Sequence, residues 1–160
     1  MNILALDLGT TTGWAAGTKT SHISGIWKLQ PGRFDSTAMR LVKFVNALNE
    51  IHAAMPIDAV YYEEVRKHRG TDAAHWYGAF WGHLIKWCDD NGIPHEGVPV
   101  GEIKKNWTGK GNAPKEAMLA EAERRGYVVA DDNEADALAL FWLKVGVAIP
   151  SVSNKKKEAA

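Results

Sequence analysis

Short apolar runs alternate along this chain with longer stretches of helical spacing, a pattern that is typical of an α/β domain. Ile3–Leu6 is a near-continuous apolar run, as expected for a buried strand of a parallel or mixed sheet. Gly9 supplies a tight turn, and Gly13–Ala16 predicts a second strand that returns as a hairpin. Three further strands are predicted over His22–Leu29, Ile57–Tyr62 and Ile93–Val100.

Apolar positions at helical spacing predict a first helix from Ser36 to Pro56, with Asp35 or Ser36 as its N-cap. This helix lies between the third and fourth strands, so the order predicts a mixed sheet with one crossover. Further helices are predicted over Thr71–Asp90, Ala113–Arg125 and Asn133–Val147, and Gly101–Asn112 is predicted to be a polar, basic connection.

The second helix is apolar nearly all round, because Trp76, Phe80 and Trp87 add aromatic side chains outside its main apolar face. Such a helix needs cover on two sides. We expect the sheet to cover one side and either core side chains or a second copy of the chain to cover the other.

Length and composition predict a single domain. The chain has 160 residues and 17.6 kDa, with 46% hydrophobic and 24% charged residues, which is ordinary for a soluble globular protein. We assign residues 1–150 to this domain and residues 151–160, with Lys155–Lys157, to a basic flexible tail. No apolar run has the length of a membrane span and no secretory leader is visible, so we expect a cytoplasmic protein that does not bind membranes.

Acidic residues occur at three separated points of the chain, and at each point they could have either a structural or a functional role. Asp7 interrupts a buried strand, where a carboxylate needs a partner or a cation, although it could also cap the turn. Glu63 and Glu64 end the fourth strand, and only one of them can face Asp7. Asp131–Asp136 opens the last helix, where acids also favour the helix dipole. Together these oxygens suit a hard divalent cation.

The opening LDLGTTTG resembles the phosphate-binding hairpin of sugar kinases, actin and heat-shock chaperones. In that group the acid and the Gly-Thr turn handle a nucleotide and its metal. The group uses two related lobes around the nucleotide, and a chain of 160 residues is short for two lobes. An ATP-binding domain is an alternative of a different class, which the length of the chain and the absence of a second glycine-rich nucleotide motif disfavour.

Three segments resemble RuvC-like Holliday junction resolvases in order and spacing: ALDLGTTTGWA, VYYEEV and NEADALAL. The resemblance implies an RNase H-like fold, with a five-stranded mixed sheet flanked by helices, and it makes Asp7, Glu63 and Asp136 catalytic metal ligands. The family's fourth ligand commonly lies three residues before the last acid. That position is Asn133 here, so either Asn133 or the adjacent Asp132 is expected to complete the site.

The same resemblance implies a function: a phage-type crossover junction endodeoxyribonuclease that uses two Mg²⁺ or Mn²⁺ ions and works as a homodimer on four-way DNA junctions. A nuclease for other branched DNA or for RNA-containing duplexes is an alternative, and so is an inert junction-binding module.

Basic residues near the acidic points are the expected DNA contacts. The formal net charge is zero, so any affinity for nucleic acid must depend on where the charges lie. By the resemblance, Lys104 and Lys115 approach the phosphates, and Lys115 could offset charge that develops during hydrolysis. The other predicted contacts, which would act through phosphates, are Arg66, Lys67, Arg69, Lys105 and Lys110. The alternative for Arg66–Arg69 is a solvated loop.

Overall fold

The computed structural model describes residues 1–147 and contains a five-stranded mixed sheet of order β3-β2-β1-β4-β5. β1 lies between an antiparallel β2 and a parallel β4; β3 is antiparallel to β2, and β5 is parallel to β4. The predicted five-stranded mixed sheet is therefore confirmed. The strands are β1 (Ile3–Asp7), β2 (Thr11–Gly17), β3 (His22–Lys28), β4 (Ala59–Glu64) and β5 (His95–Pro99).

Helices cover both faces of the sheet. They are α1 (Met39–Ala54), α2 (Thr71–Asp90), α3 (Val100–Thr108), α4 (Lys115–Arg124) and α5 (Asp132–Lys144). Side chains alternate across a strand, so β1 contributes to two cores. Leu4 and Leu6 pack with residues of α1 and α2, whereas Ile3 and Ala5 pack with residues of α3, α4 and α5. Asp7 lies on the same side of β1 as Ile3 and Ala5 and therefore faces α5.

The prediction of a connection over Gly101–Asn112 is wrong, because α3 occupies most of that segment. Two apolar residues one turn apart, Ile103 and Trp107, bury this short helix in the core. The indole Nε1 of Trp107 donates to the carbonyl oxygen of Met118, at 3.1 Å, and so ties α3 to α4. Val100, Ile103 and Trp107 have helical spacing, but the helix is only nine residues long, and its glycine and lysines are also typical of a polar connection.

The predicted N-cap of α1 differs from the one observed. α1 begins after Ala38, not after Asp35 or Ser36, and the Asp35 carboxylate accepts from the Gly32 amide at 2.8 Å in the preceding loop. At α5 the cap is Asp131, whose Oδ1 accepts from the Glu134 amide at 3.1 Å. Since Asp131 satisfies the helix start, the side chain of Asp132 is available for other contacts.

The aromatic helix α2 is buried on one side only. Phe80, Leu84, Trp87 and Cys88 enter the core, while the first residues of the helix are exposed and Trp81 is 40% exposed. None of the helices within residues 1–147 is both long and apolar enough for a membrane span. The predicted tail, residues 151–160, lies outside the described residues.

Candidate metal centre

The central parallel strands β1 and β4 carry acids at their carboxyl ends. Asp7 is the last residue of β1, and Glu63 follows Tyr62, which pairs with Leu6 of β1. Since alternate residues of β4 face opposite sides, Glu63 faces α5 together with Tyr61, and Glu64 faces away. The Glu64 carboxylate instead lies 3.6 Å from Nε of Arg66.

A glycine brings the last helix onto this edge of the sheet. Gly13 of β2 pairs with Asp7, and a Cβ placed on Gly13 would lie 1.8 Å from the backbone oxygen of Asn133. Only a residue without a side chain therefore lets the first turn of α5 rest on the hairpin. Asp136, one turn further along α5, is thereby brought beside Asp7.

A buried glutamate fixes the same end of α5. Glu134 is 6% exposed, and its two carboxylate oxygens accept from the Ser24 hydroxyl at 2.7 Å and from the Ala130 amide at 2.6 Å. Ser24 lies on β3, so this contact ties the start of α5 to the outer strand of the hairpin sheet. Sequence reasoning assigned no role to Gly13, Ser24 or Glu134, because these contacts join residues that are distant in the chain.

Gly13→Ala is expected to displace α5 from the sheet and to destabilise the fold by roughly 1 to 3 kcal/mol, the usual cost of overpacking. Gly9→Ala is a matched control in the same hairpin, since a Cβ there meets its nearest atom at an ordinary 3.5 Å. Chemical denaturation of both variants and titration with Mn²⁺ measure the two effects. A Gly13→Ala protein with parental stability and parental Mn²⁺ affinity would contradict this role for the glycine.

Asp7, Glu63 and Asp136 form one compact carboxylate cluster. Each offers an oxygen, and these oxygens all lie within 4.8 Å of one another. The three side chains are half-buried. The structure thus brings together three acids that are far apart in the sequence, in an arrangement that fits the oxygen-only ligand set of a hard cation.

The cluster is electrostatically unfavourable without a cation. Burial, followed by the charges of Glu63 and Asp136, raises the pKa of Asp7 well above its usual value. Burial, then Glu63 and Asp132, raises the pKa of Asp136 to about 7. Burial also raises the pKa of Glu63, although Lys104 opposes the shift. Carboxylates that resist ionisation next to one another are stabilised by a bound divalent cation, so the donor set fits Mg²⁺ or Mn²⁺.

The two predicted fourth ligands lie beside this cluster but make other contacts. The Asp132 carboxylate is 3.2 Å from Nζ of Lys115, and its charge raises the pKa of both Asp7 and Asp136. The Asn133 amide nitrogen donates to Asp131 at 3.1 Å. Which of Asp132 and Asn133 completes a metal site stays a prediction.

Two of the predicted lysines are near the acids. The positive charge of Lys104 on α3 opposes the rise in the pKa of Glu63 and of Asp136, and the charge of Lys115 at the start of α4 also opposes the rise in the pKa of Asp136. Lys104 is half-buried, whereas the Lys115 side chain is 77% exposed. Both side chains could therefore meet a phosphate that approaches the cluster.

The other predicted DNA contacts are spread over the surface. Arg66 and Lys67 line an open cleft of about 420 Å³ between the loop after β4 and the start of α3. Lys105 borders a different pocket, beside Glu102 and Leu143. Arg69 and Lys110 are exposed. The structure places none of these five beside the carboxylates by a direct contact.

Asp136 gives the metal-free protein a specific pH dependence. Its folded pKa of about 7 is raised, so the folded state holds a proton that the unfolded chain releases. Stability from this group is therefore lost as pH rises from about 4 to about 7. We expect the melting temperature in EDTA to fall over this range, less so in Asp136→Asn, and Mg²⁺ to raise it more at pH 8 than at pH 5.5. An equal effect of Mg²⁺ at both pH values would argue against binding at these carboxylates.

A mixed sheet with helices on both faces and acids at the carboxyl ends of its central strands defines an RNase H-like α/β domain. Solved structures share this fold, among them the following three. RuvC of Thermus thermophilus in complex with a Holliday junction substrate superposes with a TM-score of 0.73 at 20% identity, covering 94% of this chain and 99% of that one. A second Thermus thermophilus RuvC structure gives 0.70 at 20% identity, covering 94% and 100%. The yeast mitochondrial Holliday junction resolvase Ydc2 gives 0.58 at 11% identity, covering 86% and 74%.

These similarities confirm the RNase H-like fold predicted from the three acidic segments. A scan against models of protein families and a search of curated protein sequences gave no match. The fold is therefore shared with the RuvC structures at a level of identity at which function must be argued from the site.

Proposed function

We propose that this protein is a metal-dependent endonuclease that hydrolyses phosphodiesters at four-way DNA junctions by paired incisions. The observation that carries the proposal is the Asp7, Glu63 and Asp136 cluster, built on a fold that 94% of the chain shares with a RuvC protein solved on a Holliday junction. We place the reaction in the cytoplasm of a bacterial or phage-infected cell, where such junctions arise.

Asp7, Glu63 and Asp136 would hold the metal, with Asp132 or Asn133 as a further ligand. Two Mg²⁺ or Mn²⁺ ions, when bound, supply an activated water and stabilise charge on the leaving oxygen. Lys104 and Lys115 neutralise part of the acidic charge from outside the cluster, and they would attract the scissile phosphate towards it.

The basic residues away from the cluster would hold the arms of the DNA. Arg66, Lys67 and Arg69 follow directly on the strand that carries Glu63, and Lys105 and Lys110 flank the end of α3. Contacts of this kind are to phosphates, so they position the duplex without reading its sequence. The proposed specificity is accordingly for the shape of the branch point.

Incubation with labelled DNA tests the proposal. A four-way junction, a matched linear duplex, a flap and an RNA–DNA hybrid are each incubated with the protein in Mg²⁺, Mn²⁺ or EDTA. We expect paired, symmetric cuts in the junction with either metal and none in EDTA. Preferential cutting of the flap or the hybrid would favour a nuclease for other substrates. Junction binding without cleavage in either metal would favour an inert module, and saturable ATP binding without DNA cleavage would favour the actin-like class.

We propose further that the enzyme works as a homodimer through the outer face of α2. A four-way junction has near two-fold symmetry and needs two paired cuts, which matches a dimer with two-fold symmetry. On α2, Ala74, Gly78 and Gly82 follow one another at four-residue spacing next to the exposed Trp81. Apart from the neighbouring backbone of α2 itself, no atom of residues 1–147 lies within 4 Å of a Cβ placed on either glycine. A second helix could approach this face closely.

Gly78→Arg is expected to convert the dimer to a monomer, because the long charged side chain would block close approach of the second helix. The change raises intrinsic helix propensity, so α2 should remain folded. Ala120→Arg, at an exposed position of α4, is the matched control and should leave the dimer intact. Sedimentation velocity of the free protein and of its junction complex measures the outcome. A parental protein that is monomeric in both states would rule out the dimer.

A further inference from the structure

Arg40 joins three elements beside the turn that follows Asp7. The residue lies in the first turn of α1, and its guanidinium lies 4.2 Å from the ring centroid of Trp76 on α2. Nη1 of Arg40 donates to the hydroxyl of Thr10, at 3.5 Å, in the turn between β1 and β2. The guanidinium is thus held on the α1 and α2 side of the sheet, beside the turn that begins after Asp7.

The charge of this guanidinium is not paired with an acid in the part of the chain that the structure describes. None of the ion pairs found within residues 1–147 includes Arg40, and its Nε is buried without a hydrogen-bond partner. The first turn of α1 contains no acid either. A cation at a helix N-terminus opposes the helix dipole, and a partly buried charge without a partner is costly. A bound anion would offset both the unfavourable interaction with the helix dipole and the cost of the unpaired charge.

The geometry favours a phosphate as that anion. An arginine carries five N–H donors in a planar fork that matches phosphate oxygens. Nε of Arg40 is buried and Nη1 makes the weak contact with Thr10, so the terminal Nη2 and the second hydrogen of Nη1 are the donors left for a phosphate. The contact with the Trp76 ring fixes the plane of the Arg40 guanidinium before a phosphate binds, which reduces the side-chain entropy lost on binding. Since Thr10 is only three residues after Asp7, a phosphate bound by Arg40 would lie near the end of β1 that carries the catalytic acid.

We propose that Arg40 is a positioning residue that binds a backbone phosphate of the cleaved strand next to the scissile phosphate. This inference rests on the proposed nuclease function and deepens it. Arg40 would hold the strand while the carboxylate cluster acts on the neighbouring phosphodiester. Trp76 would hold the Arg40 guanidinium in place without touching the DNA itself.

Arg40→Gln is expected to weaken junction binding or slow single-turnover cleavage by roughly 10- to 100-fold, the range for loss of a charged hydrogen bond. Arg40→Lys should recover part of the loss, because it restores charge without the fork. Lys43→Gln is the matched control, since Lys43 lies one turn further on α1 and contacts only the carbonyl of Gln30 at 2.8 Å. Melting temperatures of all three variants show whether the fold is retained.

Neutral methylphosphonates placed one at a time along the cleaved strand locate the contact. At one position beside the cut, the substitution should slow the parent by the same factor as Arg40→Gln and should slow Arg40→Gln no further. If Arg40→Gln matches Lys43→Gln, or if every methylphosphonate costs both proteins equally, Arg40 is a packing residue and this inference is wrong. If the parent neither binds nor cuts junctions, the proposed function itself fails, and the inference fails with it.

Discussion

Asp7→Asn is expected to lower junction cleavage in Mg²⁺ by roughly 10³-fold or more, because a ligand worth several kcal/mol of transition-state stabilisation is lost. The amide keeps the size of the side chain and one oxygen but removes the negative charge that binds the cation. Single-turnover cleavage of a labelled junction measures the loss. Asp89→Asn, at an exposed position near the end of α2, controls for a change of net charge and should cut at the parental rate.

The same variant should behave differently in assays without metal. Burial and the neighbouring charges of Glu63 and Asp136 make an ionised Asp7 unfavourable, so Asp7→Asn should unfold at an equal or higher temperature in EDTA. Lower repulsion of phosphate should leave metal-free junction binding equal or tighter. Ordinary cleavage by Asp7→Asn in Mg²⁺ would overturn the two-metal proposal. If it bound no junction and the parent bound ATP, the actin-like alternative would replace it.

The parts of the fold that were predictable are those whose signal is local. The strand β1 is a continuous apolar run, and α1, α2 and α5 have strong helical spacing, so each was recognised from its own residues. Helix α3 depends on two apolar side chains, Ile103 and Trp107, and its stability comes from burial against α4 and α5. Its apolar positions Val100, Ile103 and Trp107 do have helical spacing, but nine residues are too few for a helix that is stable without such packing.

In the candidate site, too, only the residues with a local signal are predictable from the sequence. Asp7, Glu63 and Asp136 were identifiable because an acid in or after an apolar strand, or at a helix start, breaks a local pattern. The residues that bring them together were not identifiable. Gly13 matters only because α5 packs on it, and Glu134 matters only because Ser24 and Ala130 face it. Arg40 resembles any surface arginine until Thr10 and Trp76 are seen beside it.

Glu63→Gln and Glu64→Gln form a matched pair that separates adjacent acids on opposite faces of β4. Glu63 shares the carboxylate cluster, whereas Glu64 pairs with Arg66 at 3.6 Å and is exposed enough that this ion pair adds little stability. We expect Glu63→Gln to lose roughly 10³-fold in cleavage, as for loss of a metal ligand, and Glu64→Gln to keep most of its rate. Both changes remove one negative charge from the same strand, so a difference in rate cannot come from net charge.

Mn²⁺ affinity, measured by calorimetry, should fall in Glu63→Gln alone. If Glu64→Gln were the inactive variant, the catalytic acid would lie on the other face of the sheet, and the cluster with Asp7 and Asp136 would not be the site of cleavage.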